Sequence, residues 1–234
     1  MKVFGKNVLK ETKLNDIRKV YTSRIEIVEY CEKNNVKYEK VTNDYLNKLV
    51  KGNHQGIVID VNDYEYYSLN DIEGDFLVIL DHLEDPHNFG AIIRTCAAAG
   101  ITSIIIPKDR AVKITDTVVK TSAGTINKVK IIMVSNLVEA IKKLKKLGYF
   151  IYGADATGED YMQVDFSGKK VLIIGNEGKG ISPLVKKNCD FLISIPLEQN
   201  VESLNASVAA GILIYAGYQN DRKRLWISIF STRK

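Results

Sequence analysis

Cysteine, histidine and tryptophan are scarce in this chain: three, three and one among 234 residues. Cys31, Cys96 and Cys189 lie far apart and are odd in number. That excludes a disulfide framework and the paired spacing of a structural zinc site. They read as buried cytosolic thiols, and no metal is expected. Long apolar runs are missing as well. None approaches the roughly 18–20 residues of a membrane span. The start, Met1-Lys2-Val3-Phe4-Gly5-Lys6-Asn7, has no apolar core of a signal peptide. The expected location is the cytoplasm, with no membrane partner. Internal repeats and low-complexity segments are absent.

What is present is ordinary for a globular protein: 45% hydrophobic and 26% charged residues. A formal charge of +5 suits a polyanionic partner and equally suits a slightly basic enzyme surface. The patterning divides the chain. Residues 1–62 alternate short helical and strand patterns, with a strand ending at Val20-Tyr21, a helix over Arg24–Asn34, a strand over Val36–Val41, a helix over Asp44–Val50 and a strand over Gly56–Val61. This small α/β unit is near the lower size limit for independent folding. Its first 24 residues are basic, which suits RNA phosphates or a solvated charged face. Residues 63–75 are polar and irregular and read as a linker. Its three tyrosines are expected to pack on a neighbouring domain rather than stack on RNA bases.

From Phe76 the pattern becomes regular to residue 220. Strands are expected at Phe76–Leu80, Ser103–Pro107, Lys130–Val134, Phe150–Ala154, Lys170–Gly175 and Phe191–Ile195. Helices are expected at Asn88–Ala99, Asp116–Thr121, Leu137–Leu147, Pro183–Lys187 and Leu204–Gln219. Alternation of apolar strands with helices predicts an α/β fold, a mostly parallel sheet with helices on both faces. The tail 221–234 sets basic residues around Leu225-Trp226-Ile227-Ser228-Ile229-Phe230 and reads as an edge strand, a dimer contact or a disordered end.

Three stretches carry candidate chemistry. In the first, Asp81 to Arg94, a strand runs into a helix. Asn88 is placed to cap that helix, and Gly90 permits close approach. Arg94 stands alone on an otherwise apolar helix, either paired with a structural carboxylate or aimed at a phosphate with its rigid donor fork. The second is the loop Gly175-Asn176-Glu177-Gly178-Lys179-Gly180. It lacks the Ser or Thr of a phosphate-binding loop. Its Glu177 would repel a phosphate and suits a cation, an amine or Arg94. The third is Val201 to Ser207, where Ser203 is a candidate cap for the last helix and has no His motif to make it a hydrolase nucleophile. In open α/β sheets, ligands bind where strands end in such loops.

Taken together, Asn88-x-Gly90-x-x-x-Arg94, Ile174-Gly175-Asn176-Glu177-Gly178-x-Gly180, and Ile195-Pro196-Leu197 with Ser203-Leu204-Asn205-Ala206-Ser207 resemble the three motifs of the SpoU (TrmH-type) RNA ribose 2′-O-methyltransferases. The His54-Gln55-Gly56-Ile57 run and the leading unit resemble the branch that methylates a guanosine of 23S rRNA. The resemblance implies a C-terminal trefoil knot, S-adenosylmethionine as cofactor and a homodimer. It implies a catalytic group of Arg94, Asn88, Glu177, Ser203 and Asn205, and cofactor binding around Gly175, Asn176, Gly180, Ile195, Leu197 and Leu204. The expected partner is RNA, rRNA ahead of tRNA. An RNA-binding ribosome-assembly factor is the rival from another class; a nucleotide-dependent oxidoreductase lacks its strand–GxGxxG–helix fingerprint.

Overall fold

The computed structural model describes residues 1–198 and 201–231, with side chains described as far as Asp221 apart from those of Asn7 and Glu11. The strands β2 (Ile17–Thr22) and β4 (Ile57–Val61), both rich in β-branched residues, pair antiparallel at the centre of a first sheet. It is completed by β1 (Lys2–Phe4) and β3 (Tyr38–Lys40), in the order β1-β4-β2-β3. Helices α1 (Lys6–Glu11), α2 (Ile25–Lys33) and α3 (Asn43–Leu49) cover it. The sequence pattern shows α2, α3 and β4 within a residue or two. It does not show β1 or α1, because a three-residue strand is too short for a period.

A second sheet holds β5 (Phe76–Leu80), β6 (Ser103–Pro107), β7 (Lys130–Val134), β8 (Phe150–Asp160), β9 (Lys170–Ile174) and β10 (Phe191–Ser194). All of its pairings are parallel, in the order β10-β8-β9-β5-β6-β7. Successive residues of a strand face opposite sides, and both sides here are apolar. Leu77, Ile79, Ile132 and Ile173 pack with the helices α6 (Leu137–Lys146) and α7 (Pro183–Lys186). Val78, Leu80, Ile104 and Leu172 pack with α4 (Pro86–Ala98), α5 (Asp116–Thr121) and α8 (Ala206–Ser231). The apolar contact on that second side runs on into β1, β2 and β4. Lys120 of α5 also sits 4.7 Å from the ring centroid of Phe4.

Residues 63–75 are packed. Tyr64 and Tyr66 meet edge to face at 5.2 Å. The Tyr64 hydroxyl accepts from Ile131 N (3.2 Å), and the Tyr66 hydroxyl accepts from Ile114 N (2.8 Å). Tyr67 exchanges backbone hydrogen bonds with β7, from Tyr67 N to Ile131 O at 2.9 Å and from Met133 N to Tyr67 O at 3.0 Å. Tyr64 and Tyr66 pack as expected, whereas the Tyr67 side chain stays exposed. The tail differs from expectation: α8 continues to Ser231, so most of 221–234 is helical backbone, and residues 232–234 lie outside the described residues. Asp221 is held by Lys170, a lysine 1% exposed, whose Nζ donates to Asp221 Oδ1 at 2.5 Å and to Phe166 O at 2.9 Å. Cys31 and Cys96 are buried as expected, whereas Cys189 is only half-buried. Burial still pushes the Cys189 thiol up to about 11. No described helix is long and apolar enough to cross a membrane.

Candidate active site

The loop after β9 turns back on itself. Asn176 and Gly180 exchange backbone hydrogen bonds, N to O at 3.0 Å and 2.8 Å. Asn176 Oδ1 accepts from Gly178 N at 3.0 Å, and Asn176 Nδ2 donates to His82 O at 3.0 Å. A Cβ on Gly175 would stand 2.1 Å from the Gly180 carbonyl carbon, so no side chain fits there. Gly180 has φ of +64°, the left-handed region that glycine enters without strain. These glycines serve a tight return of the chain.

The first motif differs from expectation at its cap. Asp85 caps α4, accepting from His87 N at 2.9 Å, with Pro86 in the first turn. Asn88, set one turn inside, is thereby free for another use. It is 6% exposed, and its Nδ2 donates to Glu177 Oε1 at 2.7 Å. Glu177 therefore meets an amide and not Arg94. Arg94 is exposed and makes no hydrogen bond or ion pair among the described residues. The structural-carboxylate reading of Arg94 finds no support. The close approach at Gly90 is by α5: a Cβ there would stand 2.6 Å from Thr121 Cβ and 3.0 Å from Val118 O.

Strand ends and the start of α8 enclose a cavity of about 510 Å³. Of the expected cofactor residues, Gly175, Asn176, Gly180, Ile195, Leu197 and Leu204 all line it, and so do Glu177 and Ser203. Asn88 reaches it only through Glu177. Asn205 and Arg94 are not in the lining. Asn205 caps α8 in place of Ser203, accepting from Ser207 N (2.9 Å) and Ser207 Oγ (2.6 Å). Ser203 stays exposed at the cavity.

One wall went unread in the sequence. β8 pairs with β10 through Leu192–Gly153 and then Ile193–Glu159, so residues 154–158 bulge out of the ladder. Ala154, Asp155 and Ala156 of this bulge line the cavity, as does Glu202. A Cβ on Gly158 would stand 2.5 Å from Ile193 N, so the bulge closes only on glycine. Gly158 behind a polar run was the available signal. Asp155 Oδ1 accepts from Thr157 N at 2.9 Å and pairs with Lys186 Nζ at 2.8 Å. Burial works against its charge, but the Lys186 and Thr157 hydrogen bonds win and hold the carboxyl below its usual range. Among the described residues no cluster of three or more His, Cys, Asp or Glu is placed to hold a metal.

Three comparisons bear on this arrangement. Residues 75–215 match the SpoU rRNA methylase family, and residues 2–67 match a family described as RNA 2′-O ribose methyltransferase substrate binding. YacO of Bacillus subtilis (strain 168), named provisionally as a TrmH family tRNA/rRNA methyltransferase, is 41% identical over 236 residues, covering 93% of this chain and 94% of its own. Among solved structures, AviRb of Streptomyces viridochromogenes, a SpoU methyltransferase in complex with AdoMet, has a TM-score of 0.80 at 23% identity, covering 96% of this chain and 90% of its own. The AdoMet-bound rRNA methyltransferase of Sinorhizobium meliloti gives 0.80 at 25% identity, covering 93% and 86%. With the second and third motifs lining one cavity, the first joined to it through Asn88, and the family match spanning residues 75–215, the chain belongs to the SpoU family of RNA methyltransferases.

Proposed function

We propose that this chain methylates the ribose 2′-oxygen of a guanosine in 23S rRNA, as a homodimer in the cytoplasm. The observation that carries the reading is the Asn88–Glu177 hydrogen bond, which joins the first and second motifs at the edge of the cavity. S-adenosylmethionine is the cofactor of this family, and the lining fits it. Apolar walls from Ile174, Ile193, Ala206 and Leu213 suit an adenine ring. Backbone around Gly175, Ile195 and Leu204 offers donors and acceptors, and Glu177, Asp155 and Glu202 suit a sulfonium cation. When bound, the cofactor supplies an activated methyl group.

The chain's own contribution is positioning and charge. Asn88 fixes the Glu177 carboxylate. Ser203 presents a hydroxyl to the cavity, and Asn205 sets where α8 begins. Arg94 stays protonated in nearly all protein settings, so its role is to grip a phosphate and favour loss of the ribose hydroxyl proton electrostatically. Residues 1–62 select the substrate, 63–75 join the units, and 76–220 form the catalytic domain with its knot. The order β10-β8-β9-β5, in which β9 lies between the earlier strands β8 and β5, suits that knot.

The rRNA substrate is supported by coverage. The S. meliloti rRNA methyltransferase covers 93% of this chain, whereas the A. aeolicus TrmH/SpoU tRNA modifying enzyme covers 67%. The same chemistry on tRNA is the second reading, because the name of YacO carries both substrates. Methyl transfer from labelled S-adenosylmethionine to unmodified 23S rRNA and to bulk tRNA, followed by digestion to nucleosides, tests both. Labelled 2′-O-methylguanosine from rRNA alone is expected. Label in tRNA alone overturns the substrate; cofactor binding with no transfer to either favours the assembly-factor rival.

A further inference from the structure

We propose that the loop Lys108-Asp109-Arg110-Ala111-Val112-Lys113 is a preformed phosphate grip, holding the RNA backbone beside the nucleotide to be modified. The inference rests on the RNA methyltransferase reading above. The loop leaves the C-terminal end of β6, neighbour to β5, whose own C-terminal end starts the segment leading to Asn88. It therefore stands on the same edge of the sheet as the cavity. Backbone hydrogen bonds fasten it along its length. Lys108 N donates to Val134 O at 2.8 Å, and Val112 N donates to Leu83 O at 2.8 Å. Just past it, Ile114 N donates to the Tyr66 hydroxyl at 2.8 Å.

The side chains behave differently from the backbone. Lys108, Arg110 and Lys113 are exposed, and none makes a side-chain hydrogen bond or ion pair among the described residues. Elsewhere Lys19, Lys130, Lys145 and Lys186 are each tied to a carboxylate. Arg110 is held at φ of +52°, a left-handed conformation that glycine or asparagine would adopt more easily. An arginine kept in a strained backbone points to a use for the guanidinium. Three cations against the one carboxylate of Asp109, on a backbone already ordered, suit a row of phosphates, since little freedom is lost on contact. Arg94 is then the contact at the reacting nucleotide, and this loop grips its neighbours along the strand. The loop is tied to Leu83, in the segment between β5 and α4, and just past its end to Tyr66 of the 63–75 segment.

The test is RNA binding by the full-length protein over a series of salt concentrations, with S-adenosylmethionine affinity measured alongside. The variant carries Lys108→Ala, Arg110→Ala and Lys113→Ala. It should bind 23S rRNA fragments on the order of tenfold more weakly, and its slope of log Kd against log salt should fall by roughly two. KM for RNA should rise, with kcat at saturating RNA and cofactor affinity unchanged. Arg110→Gly alone relieves the strained backbone, so it should keep or raise Tm while still weakening RNA binding. Lys143→Ala with Lys146→Ala, two exposed lysines of α6, should change nothing. Unchanged RNA affinity and salt slope in the triple variant, with an active wild type, overturn the grip alone. A wild type that transfers no methyl group to any RNA overturns the grip together with the functional reading.

Discussion

Asn88 and Glu177, 89 positions apart in the chain, are joined by a hydrogen bond of 2.7 Å from the Asn88 amide to a Glu177 carboxylate oxygen. It links α4 to the loop after β9, so two motifs that contribute different groups are held at one spacing. Removing the amide frees the carboxylate without touching the core. Asn88→Ala should therefore lower kcat by roughly ten- to hundredfold, the range typical for loss of an orienting partner. Steady-state kinetics check this. Glu177→Gln, which keeps the shape and removes the charge, should weaken S-adenosylmethionine binding, measured by calorimetry.

Arg94 is exposed and makes no hydrogen bond or ion pair among the described residues. Arg94→Lys keeps the charge and loses the planar fork. Its unfolding free energy should stay within about 0.5 kcal/mol of wild type, while kcat falls on the order of a hundredfold. Thermal unfolding and single-turnover rates separate the two; unchanged catalysis would remove any need for the guanidinium.

Gly175 faces the Gly180 carbonyl carbon with 2.1 Å for a Cβ. Gly175→Ala must displace the loop that holds Asn176 and Glu177. Cofactor binding should be abolished, whereas Gly178→Ala, at a position where the nearest atom is 3.7 Å from a Cβ, should retain it. Paired isothermal titrations would show the contrast.

Asp155 predicts a pH dependence. Its carboxyl gives up its proton more readily in the folded chain than in the unfolded one. Its contribution is therefore fully present above the unfolded value of about 3.9 and is lost as pH falls through the lower folded value. Asp155→Asn should be less stable than wild type at neutral pH, and the two Tm curves should converge below about pH 4. A gap that persists in acid would assign the effect to packing.

The parallel sheet was legible because its strands are short apolar runs buried on both faces. Phe76–Leu80, Ser103–Pro107 and Lys130–Val134 coincide with the expected strands. The cavity-facing positions of the second and third motifs were legible too, since glycines and small polar residues mark where backbone must bend. Helix caps were not. Asp85 and Asn205 hold roles that the sequence suggests equally for Asn88 and Ser203, because a cap depends on where the backbone enters the helix. The bulge at 154–158 was hidden for a similar reason: it arises from pairing with β10, which is distant in sequence. The end of α8 was obscured because its basic residues read as a tail.

The backbone bridge between Tyr67 and β7 has a consequence for how the protein survives at high concentration. β7 lies at one end of the sheet, and a bare edge strand offers amides and carbonyls on which another chain can extend. By laying Tyr67 against Ile131 and Met133, the segment between the two sheets occupies part of that template. The same short stretch that joins two units in sequence thus shields the newly made sheet from self-association.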